Sequence, residues 1–180
     1  MPDPGQSGSL VLDASVLINL LATEAMEPIQ VALGVPCHAP EQVVTKIKRH
    51  PITGAIFSGN RHPLRQMTSP VSIVSLAGEE LDLFLDIVGR PAVDALGDGE
   101  AAAIAVAVTR GLDLVIDDRK ARRILRQQFS QVRIYWTVDL LRAPQVLAAL
   151  GRRQAEDCFA KAQRFGRMHV PRTRPSVSAG

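Results

Sequence analysis

The sequence predicts one α/β domain in which helices are layered on a mainly parallel sheet. Short apolar segments alternate with amphipathic or Ala-rich segments along most of the 180 residues. Several of the short segments are apolar without alternation, which is typical of strands buried on both faces. Aromatic residues make up only 4% of the chain. The core must therefore be built from Val, Leu, Ile and Ala, which suits helices packed on a parallel sheet.

The first elements follow from the segment SLVLDASVLINLLA and its continuation. The apolar run at 10–12 predicts a strand that ends at Asp13. Ser15 is the predicted cap of the next helix, whose apolar residues recur at helical spacing. The segment IQVALG predicts a short helix, and a strand is expected near 35–38. The segment PEQVVTKIKR predicts another helix, with Pro40 at its start.

The middle of the chain begins with residues 50–70, which are rich in Pro, Gly, Ser and Arg and predict a long exposed loop. The β-branched segment at 71–76 predicts a strand, and AGEELDLFLDIVG predicts a helix. Its expected apolar face consists of Leu81, Phe84, Leu85 and Val88. An Ala-rich helix follows in LGDGEAAAIAVAVTRG and is expected to end at Gly111.

The last elements are two predicted strands, at 112–116 and 132–136, on either side of the basic amphipathic helix DRKARRILRQQF. The segments TVDLLRAPQVLAALG and AEDCFAKAQRFG predict helices, and the chain from Met168 is expected to be loose. These elements predict a domain at 8–150, followed by a basic C-terminal helix and loose tail at 151–180.

Charge and cysteine content restrict the class of protein. Cys37 and Cys158 fit no CxxC pattern, which indicates reduced thiols. The N-terminus has no apolar signal region, and no apolar run reaches the roughly 18 residues of a membrane span, so we expect a cytoplasmic protein. Residues 142–180 hold eight of the 21 Lys and Arg residues and two of the 18 Asp and Glu residues. This basic tail predicts an anionic partner, with a merely solvated C-terminus as the alternative.

Acidic residues follow two of the predicted strands. Asp13 ends the first strand, and the adjacent pair Asp117 and Asp118 ends a late one. Ligands of parallel α/β sheets bind beyond the carboxyl ends of the strands, so these acids are expected at the edge where sites form. Asp98 is a predicted helix N-cap, and Glu100 falls in the first turn of that helix, where the macrodipole alone favours an acid. Capping explains only one residue of an adjacent pair.

Clustered carboxylates predict a cation. Two unit charges about 4 Å apart repel by roughly 4 kcal/mol at an effective dielectric near 20. One of them must then be protonated, or a metal ion must be present. Carboxylate oxygens suit Mg²⁺ or Mn²⁺. The scattered histidines offer no zinc cluster; they are His38, His50, His62 and His169.

Bound Mg²⁺ at the edge of an α/β sheet indicates in-line attack on a phosphodiester. Other acidic sites fit less well. An aspartyl-phosphate phosphatase would have a second Asp at position 15, where this chain has Ser, and a response-regulator receiver would carry its acidic pair after the first strand. Neither a P-loop nor a GxSxG elbow is present in the sequence.

The segments LVLDASVLINLLA, LGDGEAAAIAVA and LDLVIDDRKARRIL, in this order, resemble the PIN-domain family. The resemblance covers roughly residues 8–150. It is closest to the prokaryotic branch of VapC-like toxins and DUF3368-like proteins, with the pattern GEAxAIxLA followed by LLIDDRKAR. It implies a three-layer α/β/α domain and a Mg²⁺- or Mn²⁺-dependent endoribonuclease. Many relatives are toxins of toxin–antitoxin pairs, inhibited by a small partner protein, and many form homodimers.

The resemblance also implies roles for individual residues. Asp13 matches the first acid of the family, Glu100 the third and Asp118 the fourth, and these three are the expected metal ligands. Asp117 stands beside Asp118, as in the branch pattern, and joins them in the expected catalytic set. Ser15 matches a small hydroxyl residue that often supports the first acid.

The second acid of the family is missing. Where the resemblance implies a Glu late in the helix, PEQVVTKIKR has Thr45 and Lys46. Glu41 is the nearest acid, but it lies at the opposite end of that helix. Asp98 is expected to compensate in part.

Three hypotheses remain open at this point. The first is a metal-dependent ribonuclease in which Arg119, Arg122 and Arg123 share a helix face and steer RNA phosphates, with a solvated face as the alternative. The second is a catalytically weak or inactive module that binds nucleic acid or protein, because one acid is missing. The third is a purely structural acid pair, with Asp117 capping the helix and Asp118 paired to one of its arginines.

Overall fold

A computed structural model describes residues 4, 8–59, 62–66, 70–91 and 94–171. Its strands are β1 (Leu10–Leu12), β2 (Cys37–Pro40), β3 (Val71–Val74), β4 (Asp113–Val115) and β5 (Ile134–Tyr135). They form a five-stranded sheet in the order β3-β2-β1-β4-β5. All neighbouring strands are parallel. The predicted parallel sheet is confirmed, with β1 at its centre.

Helices connect the strands and cover the sheet. They are α1 (Ala14–Ala22), α2 (Met26–Leu33), α3 (Glu41–Lys46), α4 (Glu79–Val88), α5 (Asp98–Arg110), α6 (Arg119–Gln128), α7 (Thr137–Leu141) and α8 (Pro144–Phe165). Helix α5 packs against α3 and α4, whereas α8 packs against α1, α2 and α7. The helices flank the sheet, so the predicted three-layer α/β/α architecture is confirmed.

The core is aliphatic, as the composition predicts. All residues of β1 and the whole segment Ala101–Ala107 of α5 are fully buried. Helix α5 contacts β1, β2 and β4. Because alanine side chains are short, they let this helix lie close to the sheet. This contact holds the first turn of α5 near the carboxyl end of β1.

Two helix starts differ from the prediction. The N-cap of α1 is Asp13, whose carboxylate accepts from the backbone N–H of Ser15, so the predicted capping by Ser15 is wrong. The N-cap of α5 is Gly97, and Asp98 is the first helical residue without a side-chain cap bond. Gly111 ends α5 as predicted, because its left-handed φ of 64° is favourable for glycine.

Helix α4 packs only half of its predicted apolar face against the core, where Phe84 and Val88 are partly buried. Ile87 and Glu80 are its buried residues, whereas Leu81 and Leu85 are 41% and 55% exposed. Glu80 is buried because its carboxylate pairs with Arg110 of α5, which also lowers the pKa of Glu80 through this hydrogen bond. A charge pair on the contacting face therefore decides how α4 is oriented on α5.

The predicted exposed loop at 50–70 contains ordered contacts. Arg49 and Ile56 form an antiparallel bridge, and a 3₁₀ turn spans Pro63–Arg65. His62 and Leu64 are buried, and the His62 ring contacts the carbonyl of Ile47. A fully exposed loop is therefore wrong for these residues. Residues 60–61 and 67–69 lie outside the described part of the chain.

The C-terminal helices also differ from the prediction. The predicted helix TVDLLRAPQVLAALG is divided between α7 and α8, because Pro144 starts a new helix and restricts the residue before it. Gly151 interrupts α8 with a φ of 70° and a ψ of 161°. This kink lies next to the predicted domain boundary at 150/151, which stays a prediction. Beyond the kink, α8 packs on the domain: Cys158 is buried, and Lys161 pairs with Glu24.

The chain after α8 is packed where it is described. Met168 is buried, and its N–H donates to the carbonyl of Ala162 at 3.0 Å. His169 lies against the ring of Trp136, with the ring centroids 5.7 Å apart. The predicted loose segment is therefore wrong for 168–171, and residues 172–180 lie outside the described residues.

Gly166, just after α8, is expected to tolerate no side chain. A Cβ at Gly166 would lie 2.3 Å from Asn19 Oδ1 and 2.8 Å from Asn19 Cα. Gly166→Ala is therefore expected to lower the free energy of unfolding by roughly 1–3 kcal/mol, because the backbone of α1 must move. Urea denaturation measures the change. Gly8→Ala is the control, because nothing lies within 4 Å of its Cβ position. Equal midpoints for the two variants would contradict the expectation.

Among the described helices, none is by itself long and apolar enough to cross a membrane. Helices α1 and α2 meet the length and composition criterion only as a pair, bent by 115°.

Candidate active site

Three acids lie at the carboxyl edge of the two central strands. Strands β1 and β4 are parallel neighbours, with Leu12 opposite Val115. Asp13 directly follows β1, and its N–H donates to the carbonyl of Val115. Asp117 and Asp118 follow β4 after one further residue. The sheet thus places these acids at one edge, as the sequence predicts.

Asp13 has the most unusual environment of these acids. It is only 1% exposed. Its Oδ2 accepts from the Ser15 hydroxyl at 2.8 Å and from the Ser15 N–H at 3.3 Å, so Ser15 supports the carboxylate. Its Oδ1 has no hydrogen-bond partner among the described residues. Burial raises the pKa of Asp13, and the negative charge of Glu100 raises it further.

Glu100 reaches this site from the first turn of α5. Its Oε2 accepts from Nζ of Lys46, the last residue of α3, at 3.0 Å. Thr45 and Lys46 are the residues of this helix at which the resemblance implies an acid. Asp98, in the same turn as Glu100, is exposed. The structure therefore places a lysine rather than a carboxylate beside Glu100.

Asp117 is held on both oxygens by neighbouring elements. Its Oδ1 accepts from the N–H of Thr137 at 2.8 Å. Its Oδ2 accepts from the Thr137 hydroxyl at 2.6 Å and from Nδ2 of Asn19 at 2.8 Å. Burial raises the pKa of Asp117, and these hydrogen bonds oppose that shift. Asp117 is therefore a rigid carboxylate that joins α1, β4 and α7.

Asn19 and Thr137 are site residues that the sequence reasoning missed. Asn19 is a lone amide in the apolar helix SVLINLLA and is 1% exposed. Thr137 follows β5, the neighbour of β4, after one intervening residue, and it is fully buried. A polar residue inside an apolar helix and a hydroxyl at the same sheet edge were the signals available.

Asp118 is the helix cap of the adjacent pair. Its Oδ1 accepts from the N–H of Ala121 at 2.7 Å, and the residue is exposed. The purely structural hypothesis assigned capping to Asp117, and that assignment is wrong. The repulsion within the pair is reduced because the two side chains face different surroundings, with Asp117 half-buried and Asp118 in solvent.

Asp13 and Glu100 are the two described acids that would be available to a divalent cation at this edge. Asp13 offers a buried oxygen without a partner, and Glu100 is close enough for its charge to raise the Asp13 pKa. Mg²⁺ commonly binds one or two carboxylates and completes its shell with water and substrate phosphates. A third acid does not join them: among the described residues, no three His, Cys, Asp or Glu side chains form a group that could hold a metal.

The three arginines of α6 that were predicted to bind RNA do not share one environment. Arg119 is exposed and contacts His169, with 2.9 Å between Nη2 and Nε2. The side chain of Arg123 is 54% exposed and lies 3.8 Å from the Asp94 carboxylate. Arg122 is only 1% exposed, so its predicted contact with RNA is wrong. It sits on the inner side of α6 because its guanidinium donates to two buried carbonyls.

The fold and the site define a class of protein: parallel three-layer α/β/α domains that carry acids at the carboxyl edge of their central strands. Within this class, the DUF3368 family, described as a PIN domain, matches residues 9–141. The chain therefore belongs to this family. PIN domains are generally nucleases and typically use divalent metals. No curated protein and no solved structure matches the chain.

Proposed function

We propose that this protein is a Mg²⁺- or Mn²⁺-dependent endoribonuclease. The observation that carries the proposal is the Asp13 carboxylate, which is buried at the carboxyl end of the central strand with one oxygen unpartnered. Burying such a group without a partner costs free energy, and a bound cation would offset that cost. Family membership supplies the nuclease class.

In this proposal each acid has its own task. Asp13, oriented by Ser15, and Glu100 would hold the metal, which activates water and stabilises charge at the scissile phosphate. Asp117 accepts hydrogen bonds from Thr137 and Asn19 and would thereby hold α1 and α7 in place beside the site. Asp118 adds a negative charge at the same edge while it caps α6.

The arginines and the partners complete the proposal. Arg119 and Arg123 are the exposed cations of α6 that would contact RNA phosphates.

We extend the proposal to a cytoplasmic homodimer that acts as the toxin of a toxin–antitoxin pair and is inhibited by a small antitoxin protein. The exposed Leu81 and Leu85 of α4 are consistent with a protein partner. Light scattering after gel filtration measures the oligomeric state.

Metal removal tests the nuclease proposal. Cleavage of a structured RNA with Mg²⁺ is expected to fall by roughly a hundredfold or more in EDTA. Asp118→Asn is expected to lose roughly tenfold, because Asn keeps the helix cap but removes the charge. Initial rates on labelled RNA give both values. Equal rates for both proteins in Mg²⁺ and in EDTA would overturn the proposal.

A second candidate is a catalytically weak or inactive module that binds nucleic acid or a partner protein. The Lys46–Glu100 ion pair favours it, because the ammonium of Lys46 already balances the charge of Glu100, an expected metal ligand. The same experiment separates the two functions. RNA retained by the protein in a gel shift, both in Mg²⁺ and in EDTA and without cleavage, would support the binding module.

A further inference from the structure

Lys46 is positioned by the domain, although its side chain is 36% exposed. It lies in the last turn of α3, and its ammonium crosses to the first turn of α5, 3.0 Å from Glu100 Oε2. Helices α3 and α5 pack against one another. The ion pair is therefore anchored at both ends by elements of the rigid core.

Two glycines at the start of α5 leave the space that this lysine fills. A Cβ at Gly97 would lie 2.8 Å from Nζ of Lys46 and 2.4 Å from Glu100 Oε2. A Cβ at Gly99 would lie 3.0–3.1 Å from Cδ, Cε and Nζ of the lysine. Any larger residue in either position would push the lysine away. The segment LGDGEA thus accommodates a cationic side chain directly against Glu100.

The negative charges around this contact favour a nearby cation. Asp13 is buried with an unpartnered oxygen, and it lies within the field of Glu100. The Lys46 ammonium supplies one positive charge on the Glu100 side. A divalent ion held by Asp13 and Glu100 would have to displace the Lys46 ammonium from Glu100. It would then be repelled by the positive charge of this ammonium nearby. Both effects weaken metal binding.

We propose that Lys46 is an internal cation of this site, which competes with the divalent metal for Glu100 and keeps metal affinity low. The metal binds only when the Lys46–Glu100 ion pair opens. This inference rests on the metal site of the proposed function, but not on RNA cleavage. Lys46 thereby sets how strongly the site binds a divalent metal.

Calorimetric titration of the full-length protein with Mn²⁺, without RNA, tests the inference. Lys46→Gln is expected to lower the Kd for Mn²⁺ roughly tenfold, the effect of removing one positive charge near a divalent ion in water. Lys46→Met, which keeps an unbranched stem against Gly99, is expected to show the same gain and replaces the Gln variant if that one folds poorly. Lys48→Gln is the matched control, because it removes the same charge two residues further along.

The double variant Lys46→Gln/Glu100→Gln locates the effect. It is expected to lose the gain in affinity, because the carboxylate released by the first change is then gone. Unchanged Mn²⁺ affinity in both Lys46 variants, the absence of binding in all variants, or an equal gain in Lys48→Gln would each overturn the inference. A gain at Lys46 without any RNA cleavage would leave the inference standing and contradict only the nuclease proposal.

Discussion

Asp13→Asn is expected to reduce metal-dependent RNA cleavage by roughly a thousandfold and to raise the melting temperature of the metal-free protein. Asparagine keeps the shape of the side chain, and its carbonyl oxygen can still accept from Ser15. The charge is lost, so a bound metal would lose its buried ligand. The same change removes a buried negative charge with an unpartnered oxygen. RNA cleavage rates and thermal unfolding in EDTA measure the two effects.

The stability gain is expected to depend on pH. The pKa of Asp13 is raised above its ordinary value of 3.8 by burial and by Glu100. Just above that pH the folded state binds more protons than the unfolded state, so stability falls as pH rises to the folded pKa and stays lower beyond it. Asparagine does not titrate. The melting-temperature difference between Asp13→Asn and wild type is therefore expected to be small near pH 4 and to widen towards neutral pH.

Asp98→Asn is the matched control for Asp13. Asp98 is an exposed acid in the first turn of α5, so it faces the same helix N-terminus as Glu100 but carries no burial cost. Its replacement is expected to destabilise the protein slightly, by about 0.3–1 kcal/mol, through the lost interaction with the helix dipole. If Asp13→Asn were no more stable than wild type at neutral pH, the proposed cost of the buried carboxylate would be refuted.

Arg122→Ala is expected to lower the free energy of unfolding by about 3–5 kcal/mol. The guanidinium Nη1 donates to the carbonyls of Ile116 at 2.9 Å and of Tyr135 at 2.7 Å. Its Cζ lies over the Trp136 ring, 3.8 Å from the ring centroid. Removal leaves a cavity between α6 and β5 and deprives two buried carbonyls of a charged donor. Chemical denaturation monitored by Trp136 fluorescence measures the loss.

Arg123→Ala provides the comparison within the same helix. Its side chain is 54% exposed, and its only described ion pair, with Asp94, is long at 3.8 Å. Such exposed pairs contribute roughly 0–1 kcal/mol, so a small change is expected.

Burial lowers the pKa of Arg122 to about 10, which leaves the guanidinium charged at neutral pH. Similar losses in both variants would contradict a special structural role for Arg122.

The strand ends were predictable because they depend on short-range patterns. Apolar runs that stop at Asp13 and at Asp117 define both the buried strands and the edge where the acids lie. Parallel neighbours must end at the same edge, so the sequence could bring these acids together without coordinates. The Ala-rich helix and its Gly111 end were predictable for the same reason, since helix propensity and a left-handed cap are local properties.

Which aspartate of the acidic pair caps α6, and which one is bonded to α1 and α7, was not predictable. The family resemblance favours Asp118 as the metal ligand, and the purely structural alternative assigns capping to Asp117. The structure has Asp118 as the cap and Asp117 bonded to Thr137 and Asn19. Adjacent residues point in different directions, and the partners of Asp117 are 20 and 98 residues away in sequence. Only the packing of α1 and α7 decides which aspartate they reach.

The three arginines of α6 show the same limit. A helical wheel places Arg119, Arg122 and Arg123 on one side of α6, but it does not say which part of that side faces the sheet, and only Arg122 is buried. Arg122 lies on that side because two carbonyls at the strand ends accept its hydrogen bonds, which a charge-based prediction cannot anticipate.

The sequence by itself determined the parallel layered fold and the acidic edge, because these follow from local periodicity and residue identity. Only the tertiary structure decided which side chain lies beside Glu100. Lys46 meets Glu100 across 54 residues of sequence, in a space left by Gly97 and Gly99. Such a contact depends on how two helices pack on one another, and no local pattern encodes that distance.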